Sequence, residues 1–284
     1  MSELGPHDLV FNTTNLLTGG VREIVAAAVA GDYRGITIWP SDVARAEAEG
    51  MPLVDVKAFI DDHGLAVTDV DCLLGWTAQA LPKPGEAMVE IVATDRFFEI
   101  AEALDADAIN VAQGFGSELD LDRAAEDLAT LARRAEEHGR NVNFEFLPWC
   151  GVPDVTTCLE LLERTGCPNT TIMFDTWHWF RGARDLDALR AIPGSRIAST
   201  QWNDAPDAPA ENLMVEAMEA RLLPGDGDIP LVELVRTLDA IGSRAPIGVE
   251  VISKAHDSMA PEEVGRTTAE AMRRILREAR GDDA

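Results

Sequence analysis

The sequence predicts a single (β/α)8 TIM barrel over residues 1–284, and three observations carry the prediction. Short β-rich runs alternate with longer amphipathic segments along the whole chain. There are eight such runs, the number that closes a parallel barrel in a chain of about this length. No GxGxxG follows the first run, which leaves an open doubly wound sheet without its usual signature.

The strands are read, in order, at 9–14 (LVFNTT), 35–40 (GITIWP), 65–72 (LAVTDVDC) and 107–113 (DAINVAQ). They continue at 141–148 (NVNFEFLP), 170–176 (TTIMFDT), 196–202 (RIASTQW) and 246–252 (PIGVEVI). Between them lie alanine- and leucine-rich segments such as DRAAEDLATLARRAEEHG, at 122–139, with apolar residues at helical spacing and a glycine after the last turn. No linker or break in composition interrupts this rhythm, so one domain is expected. The longest irregular stretch, 203–228, reads as a lid or binding loop, or hides a short helix.

Composition narrows the class. The 46% hydrophobic content supplies a large core, and no apolar run approaches the roughly 20 residues needed to span a bilayer. The N-terminus lacks the basic and apolar regions of a secretory signal, and the four cysteines show no CxxC spacing. A cytoplasmic protein with reduced, structural thiols is the expectation. The formal net charge of -26 argues against nucleic-acid binding, which depends on cations neutralising phosphates.

Four strand ends carry polar residues on the barrel's inner face. In NVNFEFL, Val142, Phe144 and Phe146 pack outward, leaving Asn141, Asn143 and Glu145 inside. In TIMFDT, Ile172 and Phe174 point out and Asp175 in; in PIGVEVI, Ile247, Val249 and Val251 point out, with Gly248 and Glu250 in. Gln201 shares a face with Ile197 and Ser199. Barrel enzymes carry their chemistry at these strand ends. Three inward carboxylates would repel one another unless a divalent cation neutralises them or their pKa values rise. With the amide oxygen of Gln201 they make an all-oxygen set that favours Mn2+ or Mg2+ over zinc. For any one acid taken alone, capping a helix is an equally good reading. Glu211 and Asp204 read as solvated loop acids.

The order Glu145, Asp175 with His178 at D-x-x-H, Gln201 followed by Asn203 and Asp204, then Glu250, resembles the xylose isomerase-like barrel superfamily, in its sugar phosphate isomerase/epimerase branch. RLLPGDGDI, at 221–229, is similar to that branch's R-x-x-P-G-x-G element. The resemblance implies a divalent metal held by Glu145, Asp175, Gln201 and Glu250, with Glu145 and Glu250 as the proton-transferring pair. It also implies that His178 and Arg221 contact substrate oxygens. The third ligand position, often histidine in that branch, is Gln201 here. The five histidines do not supply the ligands of the superfamily's trinuclear-zinc DNA-repair members, which together with the charge argues against an endonuclease.

Such a site removes a proton beside a carbonyl and returns one, giving epimerisation or aldose–ketose isomerisation through an enediolate. With a leaving group β to the carbanion it gives elimination, as in inosose dehydratases and C-glycoside deglycosidases. A sugar-binding protein without turnover is the alternative from another class. All six tryptophans fall at or just beyond strand ends, outside the expected helices. Of these, Trp39, Trp76, Trp149, Trp177 and Trp202 are candidate substrate contacts, since aromatic faces suit sugar C–H surfaces. Basic residues at the strand tips are few, which favours an unphosphorylated sugar, cyclitol or glycoside. The resemblance leaves room for a homo-oligomer, and for a partner subunit under the lyase reading. No membrane partner is expected.

Overall fold

Valine and isoleucine at alternate positions set the strand faces, and a computed structural model of the chain, which describes residues 4–81, 91–116 and 118–281, shows what they build. Eight parallel strands, β1 (Leu9–Phe11), β2 (Gly35–Ile38), β3 (Ala66–Leu73), β4 (Ala108–Ala112), β5 (Asn141–Glu145), β6 (Thr170–Asp175), β7 (Ile197–Trp202) and β8 (Ile247–Val249), close in sequence order into one barrel. Helices follow each strand, the longest being Leu121–Glu137 and Pro261–Arg280. The outward residues Val142, Phe144, Ile172 and Phe174 are fully buried beneath them. The ends of the 1–284 domain, residues 1–3 and 282–284, lie outside the described residues.

Several strands are shorter than the sequence periodicity suggests. The β5 ladder ends at Glu145 and the β8 ladder at Val249, one residue before Glu250. Glu145 is thus the last residue of its ladder, and Glu250, just past the end of β8, still gives its N–H to Trp202 O at 3.0 Å.

The closing seam is built with care for backbone groups. β1 and β8 each contribute only three residues. Past their ends, Asn15 donates its amide N–H to Val249 O and accepts from Val251 N with its carbonyl, each at 2.7 Å, so one side chain continues the ladder. On the other side of β8, Gly248 lies flush against β7: a Cβ there would sit 2.1 Å from Thr200 O. Only glycine lets the two backbones approach this closely.

The 203–228 stretch does hold a short helix, Leu213–Glu219. Contrary to the solvated reading, Asp204 is buried, and its carboxylate accepts from Ala205 N, Ile229 N and Gly225 N at 2.8–3.0 Å. That one carboxylate ties both ends of the stretch together. Glu211 is exposed as expected.

Candidate active site

Asp175 ends β6 and begins the helix Thr176–Arg181. The sequence leaves capping and an inward role as alternatives, and the side chain does both. Its Oδ1 caps the helix by accepting from Trp177 N (2.6 Å) and His178 N (3.1 Å). Its Oδ2 accepts from Arg221 Nη1 at 2.6 Å, and Asn203 Nδ2 lies 3.3 Å from both oxygens. Burial alone would raise the Asp175 carboxyl, but Arg221 and His178 hold it below the usual range.

The same Arg221 nitrogen donates to Glu250 Oε2 over 2.8 Å. Arg221 is 3% exposed and lines the cavity, and its Nε donates to Ala217 O, so it bridges two buried acids. Glu250 Oε1 also accepts from Thr14 Oγ1 (2.9 Å) and Gln201 Nε2 (3.3 Å). Burial pushes the Glu250 carboxyl well above its ordinary range; Arg221 opposes this, while Asp175 and Glu145 add to it. Glu145 accepts from Asn110 Nδ2 at 2.9 Å, and its Oε1 lies 3.2 Å from His178 Nε2.

Glu145, Gln201, Glu250, His178 and Arg221 all line one cavity of about 410 Å3 at the C-terminal mouth of the barrel. Ligand atoms of Glu145, Asp175 and His178 lie within 4.8 Å of one another, a spacing a single ion would satisfy. This draws His178, read from the sequence as a substrate contact, into the ligand candidates. Gln201 Oε1 is buried with no donor among the described residues. An orphaned carbonyl oxygen beside three carboxylates is what a hard cation would complete, so these side chains fit a divalent metal. Cys72 is on the same cavity wall, and burial, with Glu145, pushes its thiol well up.

The tryptophans divide. Trp39 and Trp149 line the cavity, and Trp149 packs edge-on against His178 with ring centroids 5.6 Å apart. The other three candidates do not line it. Trp177 and Trp202 are fully buried, their N–H groups given to Glu216 Oε1 and Thr200 Oγ1. Trp76 donates to Ala112 O and packs edge-on against Phe144. Trp177 and Trp179, moreover, lie within the helix Thr176–Arg181, so the expectation of tryptophan-free helices fails. Spacing along the chain puts them near strand ends, but only tertiary packing decides which faces the ligand.

Sequence reasoning missed the β3–β4 wall. Asp71 and Asn110 are buried and line the cavity. Burial, with Asp69 and Glu145, raises the Asp71 carboxyl well above its ordinary value, partly offset by Asn110 and Thr37. The signal was available: in AVTDVDCL the acids alternate with valines, the pattern that exposed Glu145 and Glu250.

Comparison with known proteins now bears on this geometry. A family model described as xylose isomerase-like TIM barrel matches residues 24–277. The chain belongs to that family. It is similar to a 3-dehydroshikimate dehydratase of Pseudomonas aeruginosa, 25% identical over 240 residues, covering 84% of this chain but 37% of the dehydratase. This chain thus spans well under half of that relative's length. It is also similar to an inosose isomerase of Bacillus velezensis, 26% identical over 155 residues, or 54% of each chain. In fold it matches the crystal structure of an IolI protein with a bound zinc atom, with a TM-score of 0.82 at 18% identity over 96% of this chain and 99% of that one. No helix among the described residues is long and apolar enough to cross a membrane.

Proposed function

We propose that the chain is a divalent-metal-dependent enzyme that moves a proton beside the carbonyl of an uncharged keto-sugar or keto-cyclitol, giving isomerisation or epimerisation. The observation that carries this reading is the orphaned Gln201 Oε1 in one cavity with Glu145 and Glu250, with Asp175 buried on the strand beside it. Glu145, Asp175, Gln201 and Glu250 would hold the ion, with His178 as a further donor. The ion would be Mn2+ or Mg2+, given that oxygens outnumber the one imidazole, and would supply the charge that stabilises oxygen anions developing on the substrate.

The protein's own groups do the rest. Glu145 and Glu250 stand on strands three apart in the ring, so they face a bound substrate from different sides. One removes the proton and the other returns it. Asn110 and His178 hold Glu145 in place, and Thr14 and Gln201 do the same for Glu250. Arg221 and His178 lie within the cavity wall to meet substrate oxygens. Among these lining residues the cations are few, and Arg221 already serves two carboxylates, which disfavours phosphorylated or carboxylated substrates. Trp39 and Trp149 offer aromatic surface to the C–H face of a ring. The free thiols of Cys72, Cys150, Cys158 and Cys167 suit a reducing, cytoplasmic compartment.

The test is solvent-deuterium incorporation at the carbon beside the carbonyl of inosose or a ketose, in enzyme supplied with Mn2+. No incorporation from any such substrate would overturn the proposal. Gln201→Leu should lose stoichiometric metal without losing the fold, because the oxygen it removes has no protein partner. A second reading, elimination of water from the same carbanion, is favoured by the match to the dehydratase over 84% of this chain. It predicts an ultraviolet-absorbing unsaturated ketone as product.

A further inference from the structure

The wall formed by β3 and β4 carries polar groups that the proposed proton transfer does not use. Asp71 is 2% exposed and lines the cavity, and neither of its carboxylate oxygens has a hydrogen-bond partner among the described residues. On the adjacent strand Asn110 gives its amide N–H to Glu145, while its carbonyl oxygen is likewise without a donor. The register pairs Val70 with Ile109 and Leu73 with Val111, which puts the two side chains side by side.

Three neighbouring oxygens without a hydrogen-bond partner are costly to bury unless a hydrogen-bonding group arrives from outside the protein. The donor classes are an ammonium group and a hydroxyl. An ammonium group offers only donors, whereas the partnerless N–H groups of Trp39 and Trp149 in the same cavity also need an acceptor. A ring bearing several hydroxyls gives donors to Asp71 and Asn110 and acceptors to the two indoles. In the closed ring, β3 and β4 lie opposite β7 and β8, the strands that carry Gln201 and lead into Glu250.

We propose that Asp71 and Asn110 form a subsite for a hydroxyl at the end of a polyhydroxylated substrate away from Gln201 and Glu250, which makes Asp71 a specificity-determining residue. The proposal deepens the functional reading, resting on it only in taking the ligand to be a polyol.

The experiment titrates inosose and its singly deoxygenated analogues into the full chain by calorimetry, with wild type, Asp71→Asn and Asp71→Ala. In wild type one analogue should bind at least about tenfold more weakly than the parent, the order expected when a buried acceptor loses its donor. In Asp71→Ala the two should bind within about twofold. Equal discrimination in wild type and Asp71→Ala, or no binding of any probe by wild type, overturns the proposal. Asp71→Ala should melt no lower than wild type; should it fail to fold, the near-isosteric Asp71→Asn carries the test and should narrow the discrimination. Deuterium exchange run alongside separates the two claims. Exchange with discrimination unchanged by the substitution sinks the subsite alone, and discrimination without exchange sinks the reaction alone.

Discussion

Arg221 Nη1 lies 2.6 Å from Asp175 Oδ2, with both side chains buried, and the same nitrogen reaches Glu250 Oε2 at 2.8 Å. A positive charge already sits between two of the groups assigned to the metal. Removing one partner of a buried ion pair costs about 3–5 kcal/mol, because the other charge is stranded. Arg221→Met keeps much of the packing and should destabilise the metal-free chain by that order. Saturating Mn2+ should restore a good part of the loss by neutralising Asp175 and Glu250. Denaturant unfolding with and without Mn2+ measures this, and equal losses under both conditions would separate Arg221 from the ligand set.

Asp42 gives the protein a pH dependence of its own. Burial pushes its carboxyl from 3.8 up to about 6, against the Trp39 N–H it accepts at 2.9 Å. The native state therefore keeps a proton that the unfolded chain has released between pH 4 and 6. Stability from this group is full below pH 4 and falls as pH rises through that window, by about 3 kcal/mol in total. Asp42→Asn should remove this share of the fall, leaving that of other raised carboxyls such as Asp69. Unfolding midpoints of the two proteins at pH 4, 5, 6 and 7 should diverge as pH rises, and parallel curves would contradict the assignment.

Gln201 sets the hardness of the proposed site. Replacing its amide oxygen with imidazole, in Gln201→His, should raise affinity for zinc relative to manganese by at least about tenfold, following the preference of imidazole for softer ions. Competition against a chelator of known affinity reads this directly. An unchanged preference would mean that residue 201 does not touch the ion.

Glu216 anchors the helix Leu213–Glu219 over the mouth. Its Oε1 accepts from Trp177 Nε1 at 3.0 Å and from Arg181 Nε at 2.7 Å, and its Oε2 from Ala210 N at 2.6 Å. Glu216→Ala strands Arg181 and should cost several kcal/mol. It should also expose the segment 206–212 to limited proteolysis, because the tether to Ala210 is gone. Cleavage no faster than in wild type would show that the bonds of Arg181, Arg184 and Asp228 to Pro206 and Asp207 hold the segment without Glu216.

The barrel was legible because its signals are local and repeated: β-branched alternation, helical spacing and glycine stops. The same alternation aimed Glu145, Asp175 and Glu250 inward. What it could not show depends on contacts distant in sequence. Arg221 meets Asp175 from 46 residues away, and Thr14 meets Glu250 from 236. The tryptophans show the limit most clearly. Trp149 and Trp177 are ring neighbours 5.9 Å apart, yet only Trp149 lines the cavity, since Glu216 draws Trp177 into the packing. Asp71 was hidden differently, by following a pattern already recognised elsewhere without an assigned partner.

The seam held by Asn15 has a consequence for the order in which the protein comes into being. Glu250 takes its place only when β8 has docked between β7 and β1, and β8 is the last strand to be synthesised. Until then a nascent chain carries Glu145, Asp175 and Gln201 on an open sheet, with no opposing wall and no Arg221 clamped between two acids. A chain truncated before β8 should therefore hold metal weakly and turn over nothing. On the proposed reading, closing the ring is what brings the last of the assigned groups into the site.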